Sequence, residues 1–265
     1  GVDAAVAAAL AGSSSLVFVD GEGTHRQFAV CRRCRAHFVT PFAFREDLGP
    51  RHTRVQSFKE LAYLHPTRYT PDPTVTSTLG LHDGERYAIV RFNGFFALHD
   101  VGISGFTIQQ KKDLVAMLSN HLRVLISSET AVPQELSQLV LQAPGERIHD
   151  LLAEASLLVT DTQTMATEAA VLGVPTVRCN AFVSRGDMSS FVELERKYGL
   201  MRSFGNGQDA LEAAVALAAS PGSRAEWKER RRRLLSAKCD PVPVLVNLLE
   251  SIADGHNRTM KRTQA

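Results

Sequence analysis

The chain has 265 residues, 44% of them hydrophobic and 22% charged, with a formal net charge of +2. That composition specifies a folded protein with a sizeable core, as one large domain or two small ones, and its near-balanced charge gives no basis for nucleic-acid or membrane-surface binding. No apolar run approaches the ~18–20 residues of a membrane-crossing helix, and four cysteines without a disulfide pattern leave the cytoplasm as the default location.

The alanine-rich start, residues 3–11, contains Asp3 and lacks a basic leader, so it reads as a helix rather than a signal peptide. SLVFVD (15–20) is a strand, 24–36 a basic helix, HFVTP (37–41) a second strand and RVQSF (54–58) a third. The basic helix carries Cys31-Arg-Arg-Cys34, the spacing of a zinc knuckle or redox pair. No second pair completes a tetrahedral site, so these are read as helix cysteines and no metal is expected. YLHPTRYTPDPTV, with prolines at 66, 71 and 73, is a linker by composition.

Beyond the linker, strands and helices alternate. YAIVRF (87–92) and RVLISS (123–128) are strands flanking a helix opened by a Thr107–Gln110 capping box. Helix IHDLLAEA (148–155), strand SLLVT (156–160), a helix from Met165 and strand PTVRCN follow. Helix SSFVELERKYG, strand LMRSF and helix DALEAAVALAAS complete the pattern. Such alternation argues a parallel sheet with helices on both faces. Ser223 and Glu226 read as the cap of a basic helix, WKERRRRLLSA, whose exposed arginines pair with neighbouring acids. DPVPVLVNLLESIA (240–253) is a closing helix and HNRTMKRTQA a disordered polar tail.

The stretch TDTQTMATEAAVLGVPTV (160–177) joins two strands through a helix that Gly173 and Pro175 stop. Asp161 and Thr162 are placed to cap it. Its unpaired first N–H groups and positive dipole end make an anion site at the carboxyl edge of a strand. Glu168 lies one to two turns further in, facing a cleft within reach of ligand hydroxyls. Read by itself the segment is equally an ordinary βαβ unit, with Glu168 solvated and Thr162 a cap.

This stretch resembles the nucleotide-sugar motif of the GT-B superfamily, which includes glycosyltransferases and UDP-N-acetylglucosamine 2-epimerases. Asp161, Thr162, Glu168, Ala169, Leu172, Gly173 and Pro175 fit, while Gln163 and Thr164 stand where the epimerases carry two glycines. Without glycine the backbone approaches a diphosphate less freely, and the Gln and Thr side chains are left to supply the hydrogen bonds. KELAYLHPTRYTPDP (59–73), RFNGFFALHDVG (91–102), LISSE (125–129) and TQTMATEAAVLGVPTVRCN (162–180) together resemble domain of unknown function 354, a GT-B relative.

The resemblance implies a GT-B-like α/β fold with a Rossmann-like parallel-sheet carboxyl-terminal domain at 71–238. Residues 1–70 would form a partial amino-terminal α/β domain, truncated or reduced, without the glycine-rich first turn, and 239–265 the closing helix and tail. It implies a nucleoside-diphosphate sugar as partner, UDP-sugar first, with no cofactor. The leading reaction is glycosyl transfer in glycan or cell-envelope polysaccharide synthesis. UDP-sugar 2-epimerisation and non-catalytic nucleotide-sugar binding are the alternatives. Nucleic-acid binding through CRRCR and ERRRR rests on charge alone and is not adopted.

Nucleotide-sugar contacts are assigned to Arg91 at the end of a strand, the edge where ligands bind in open α/β sheets. Ser127, Ser128 and Glu129 end the next strand, and His149 opens the helix before the nucleotide unit. Thr162, Gln163, Thr164 and Glu168 complete that set. A structural ion pair for Arg91 and capping roles for the serines are the plain alternatives. Catalytic candidates are Asp20, Glu22 and His25, after a strand comparable to one that precedes a catalytic Glu in the epimerases, and His99 beside Asp100. No nucleophile elbow, phosphate-loop lysine or HExxH pattern is present.

Overall fold

A computed structural model of the protein describes residues 1–82, 84–92, 106–128, 131–142, 145–181 and 183–263. His99, Asp100 and Glu129 lie outside the described residues. The chain runs α1 (Val2–Leu10), β1 (Leu16–Phe18), α2 (His25–Arg33), β2 (His37–Pro41), β3 (His52–Val55), α3 (Leu61–Leu64), α4 (Val75–Thr78), β4 (Tyr87–Phe92), α5 (Ile108–Leu118) and β5 (Arg123–Ser128). It continues through α6 (Ile148–Glu154), β6 (Leu157–Thr160), α7 (Thr164–Leu172), β7 (Thr176–Cys179), α8 (Val183–Gly186), α9 (Ser189–Val192), β8 (Arg202–Phe204), α10 (Gly207–Ala218), α11 (Ser223–Ala237) and α12 (Pro241–Thr263). Two compact units result. The first is Gly1–Arg68 with Met188–Ser190 and Ser236–Ala265; the second is Tyr69–Asp187 with Phe191–Leu235.

The first unit holds a parallel sheet of order β1-β2-β3. Phe28 and Cys31, three residues apart on α2, share one face and are buried with Phe38 and Phe44. The three phenylalanine rings meet edge to face, an arrangement the ring quadrupoles favour. α2 closes in a left-handed turn at Arg35, φ 58°, with Arg35 N–H donating to the Arg32 carbonyl at 2.9 Å and Ala36 N–H to that of Cys31 at 3.0 Å. β3 ends at Val55, earlier than the alternation of RVQSF suggests. The following residues leave the ladder because Cys239 N–H donates to the Gln56 carbonyl and Ser57 Oγ to the Cys239 carbonyl at 2.7 Å. α12 runs on into the segment read as a polar tail, as far as Thr263.

The second unit holds an all-parallel sheet of order β5-β4-β6-β7-β8. Every residue of β6 and β7 is buried, as expected of central strands covered on both faces. The Thr107–Gln110 capping box of α5 forms in both directions, at 3.2 and 3.0 Å. SSFVELERKYG does not make one helix: α9 gives way to a π-helical turn, Glu193–Lys197, which buries Leu194 while Glu195 accepts the Ser203 N–H at 3.1 Å.

α11 departs most from expectation. Ser223 does not cap it; its hydroxyl donates back to the Ser220 carbonyl at 3.0 Å, beyond the end of α10. Its arginines pair with neighbouring acids as expected, Arg224 with Glu154, Arg230 with Glu226 and Arg232 with Glu229, but they also reach backbone carbonyls. Arg224 donates to the last carbonyls of α6, at Ala153 (2.8 Å), Glu154 and Ala155. Arg231 Nε donates to the Val171 carbonyl of α7 at 2.8 Å. Arg230 reaches the Gly199 carbonyl and lies 4.2 Å over the Trp227 ring, whose own N–H donates to Leu200 at 3.0 Å. Cations at orphan carbonyls are favourable for both hydrogen bonding and helix dipole. Among the described residues, no helix is long and apolar enough to cross a membrane, and no three His, Cys, Asp or Glu side chains cluster as metal ligands.

Candidate functional site

The carboxyl ends of the second unit's strands carry a polar row. The register aligns Arg91 of β4 with Ser127 of β5 and Thr160 of β6, Thr160 with Arg178 of β7, and Arg178 with Ser203 of β8. Register partners in a parallel sheet point to the same face, so the row forms one strip along the sheet's carboxyl edge. Arg91 Nη1 donates to Ser127 Oγ at 2.7 Å, which fixes the guanidinium there. Ser128 ends β5, half-buried.

Thr160 opens the turn into α7. Its hydroxyl accepts the Thr162 N–H at 2.9 Å and lies 2.8 Å from Thr162 Oγ1. Thr162 is therefore tied to Thr160 rather than capping α7. Gln163 takes the N-cap position with no side-chain cap hydrogen bond, and Thr164 is exposed. The opening N–H groups of α7, which have no intrahelical acceptor, thus lie beside the Arg91–Thr160 row. Asp161 is fully buried, and its carbonyl accepts Asn180 Nδ2 at 3.1 Å, tying the ends of β6 and β7 together. Burial, and next the Asp161 charge, push the Cys179 thiol up to about 11, so it stays a thiol at neutral pH.

Glu168 is corrected by the structure. Expected on an open cleft face or in solvent, it is only 9% exposed and pairs with His149 of α6, Nε2 to Oε1 at 3.0 Å. That hydrogen bond raises the His149 pKa above its ordinary value; burial opposes it and the Glu168 charge adds to it. His149 also meets Tyr69 edge to face at 6.3 Å, and Tyr69 Oη donates to Asp150 at 2.7 Å. Asp150 further accepts the Asp72 N–H at 3.1 Å, and Arg147 bridges Asp72 (2.7 Å) and Asp150 (2.8 Å). The second half of the proline-rich segment read as a linker thus docks on α6, next to His149.

Arg178 is not among the site residues expected from the sequence, yet it lies in the polar row. Its side chain is fully buried, ion-paired with Asp187 and stacked 3.9 Å from the Phe191 ring centre. Burial lowers its pKa while Asp187 opposes. One signal was available: a lone cation inside the apolar strand PTVRCN has to be paired.

In the first unit, the three residues after β1 are each engaged. Asp20 accepts Lys59 Nζ. Glu22 accepts the Arg45 N–H at 2.7 Å and the Ser189 N–H at 2.9 Å. His25 pairs with Glu46 at 3.2 Å and is 75% exposed.

No protein-family model and no curated protein sequence matches the chain. Solved structures do. Spinosyn rhamnosyltransferase SpnG complexed with spinosyn aglycone superposes at TM-score 0.54 and 14% identity, over 94% of this chain and 70% of that one; the same enzyme complexed with thymidine diphosphate gives 0.52 and 15% over the same shares. Spinosyn forosaminyltransferase SpnP matches at 0.51 and 15%, over 93% and 72%. A Listeria monocytogenes protein described as a UDP-N-acetylglucosamine 2-epimerase matches at 0.52 and 12%, over 89% and 77%. At these identities the likeness establishes the fold: the chain has the α/β architecture of GT-B glycosyltransferases and 2-epimerases.

Proposed function

We propose that the second unit binds the nucleotide of a nucleoside-diphosphate sugar, UDP-sugar first, at the carboxyl edge of its sheet. The observation that carries this reading is the Glu168–His149 pair beside the open start of α7. The α7 N–H groups and Arg91 would neutralise the diphosphate, with Ser127, Ser128, Thr162, Gln163 and Thr164 as further donors. A carboxylate offers about four lone-pair sites, so Glu168 can accept from His149 and from ribose hydroxyls at once. The thymidine diphosphate complex of SpnG supports a diphosphate ligand. Membership of domain of unknown function 354 belongs to this reading and rests on the quoted motifs.

Glycosyl transfer in glycan or cell-envelope polysaccharide synthesis is the reaction we assign. A departing nucleoside diphosphate needs its developing charge stabilised, and Arg91 with the α7 start would do so. Within the first unit, Glu22 is committed to two backbone N–H groups, which suits organising the turn, so acid–base work falls to Asp20 and His25. UDP-sugar 2-epimerisation is the second reading, favoured by the match to the Listeria protein. Calorimetric titration with UDP, thymidine diphosphate and their sugars tests the proposal. Saturable 1:1 binding of at least one is expected; flat heats throughout from a folded protein remove it.

A further inference from the structure

A basic concavity lies wholly within the first unit, at the amino-terminal edge of its sheet. It is a cavity of about 620 Å³, within the range of small-molecule sites. Arg33, Arg35 and Arg51 line one side, with Cys34 and His37 between them, and Leu248 and Ile252 of α12 form an apolar wall. Among the described residues, no carboxylate lines it. In a chain of net charge only +2, that is a local concentration of cation and not a reflection of a basic protein.

Two observations indicate that these groups are arranged for a ligand. Arg35 occupies the left-handed position that ends α2, φ 58°, where glycine is the unstrained residue. A guanidinium is kept there against backbone preference. Its carbonyl in turn accepts Arg51 Nη1 at 2.6 Å, which holds a second guanidinium at the cavity. The field is also felt by its neighbour: burial first, and then the Arg51 charge, lower the His37 pKa.

The geometry points to a binding site for a small organic phosphate, its dianion taken by Arg33, Arg35 and Arg51 and its apolar substituent lying against Leu248 and Ile252. Three forked cations match a phosphate dianion better than a monoanion, and the apolar wall favours an ester over inorganic phosphate. This site is separate from the nucleotide site of the second unit and does not depend on it.

Phenyl phosphate is the probe, titrated calorimetrically into the full chain, with benzoate as the monoanionic control. Phenyl phosphate should bind 1:1, and benzoate about tenfold more weakly or not at all. Arg35→Gly is the decisive variant, because glycine relieves the left-handed backbone while removing the cation. It should melt at the same or a higher temperature and lose about tenfold or more in affinity, as should Arg33→Gln. Alkylation followed by mass spectrometry gives the location: phenyl phosphate should slow modification of Cys34 and leave exposed Cys239 unaffected. No binding by the wild type, wild-type affinity in Arg35→Gly and Arg33→Gln, equal binding of benzoate, or an unprotected Cys34 would each overturn the assignment.

Discussion

At the residue scale, the proposed site turns on a pair that neither partner announces alone. His149 and Glu168 are 19 positions apart on different helices, and only the packing of α6 against α7 brings Nε2 to 3.0 Å from the carboxylate. Helical spacing could nominate each residue but not their contact. The raised His149 pKa makes the pair testable. The folded state holds the proton more tightly than the unfolded chain, whose imidazole titrates near ~6.5. The stabilisation is therefore full below that value and is lost as pH rises through the elevated folded pKa. His37 and His52 are shifted down by burial and act in the opposite sense, so comparison with a variant is needed. The stability of wild type over His149→Gln, from urea unfolding, should shrink steadily from pH 6 towards pH 9. A difference that is flat or grows with pH would contradict the pair. The placement of Arg91 and Ser127 at the ends of two apolar strands, by contrast, was legible in advance from YAIVRF and RVLISS.

Among the elements, α7 and α11 show what sequence patterning reads well and what it misses. Gly173 was visible as a stop signal, and its φ of 76° is the left-handed C-cap such a signal predicts. What surrounds it was not visible. A Cβ at Gly173 would lie 2.8 Å from Arg231 Cδ and 2.9 Å from its Cβ, while Arg231 Nε holds the Val171 carbonyl. The acid pairing of ERRRR was foreseen and is present, but a charge run carries no record of which carbonyls lie opposite it. Gly173→Ala combines a left-handed alanine with overpacking against α11, and should cost about 2–3 kcal/mol. Urea midpoints measure this; a change below about 0.5 kcal/mol would mean that α11 is not seated as described. The π-helical turn after α9 was likewise hidden, since VELERKYG has ordinary helical composition.

For the molecule as a whole, alternation of short apolar runs with helical segments was enough to indicate parallel sheets, because central strands covered on both faces have no polar side to show. Sequence could not say that Met188–Ser190 groups with the first unit, since that depends on contacts between distant segments. The catalytic assignment belongs to this scale too. Asp20→Asn should leave UDP affinity within about twofold while abolishing UDP release from a UDP-sugar. Unchanged turnover would remove Asp20 from the chemistry.

The central claim is that the nucleotide is held in the second unit by Glu168 beside the α7 start, and the affinity of Glu168→Gln for UDP tests it most directly. Replacing the carboxylate by an amide exchanges a charge-assisted hydrogen bond for a neutral one, a loss of about 1–2 kcal/mol or roughly five- to thirtyfold in affinity. Melting temperature and circular dichroism serve as folding controls. The account predicts a folded variant with affinity reduced by that factor; a folded variant that binds UDP as tightly as wild type would contradict it.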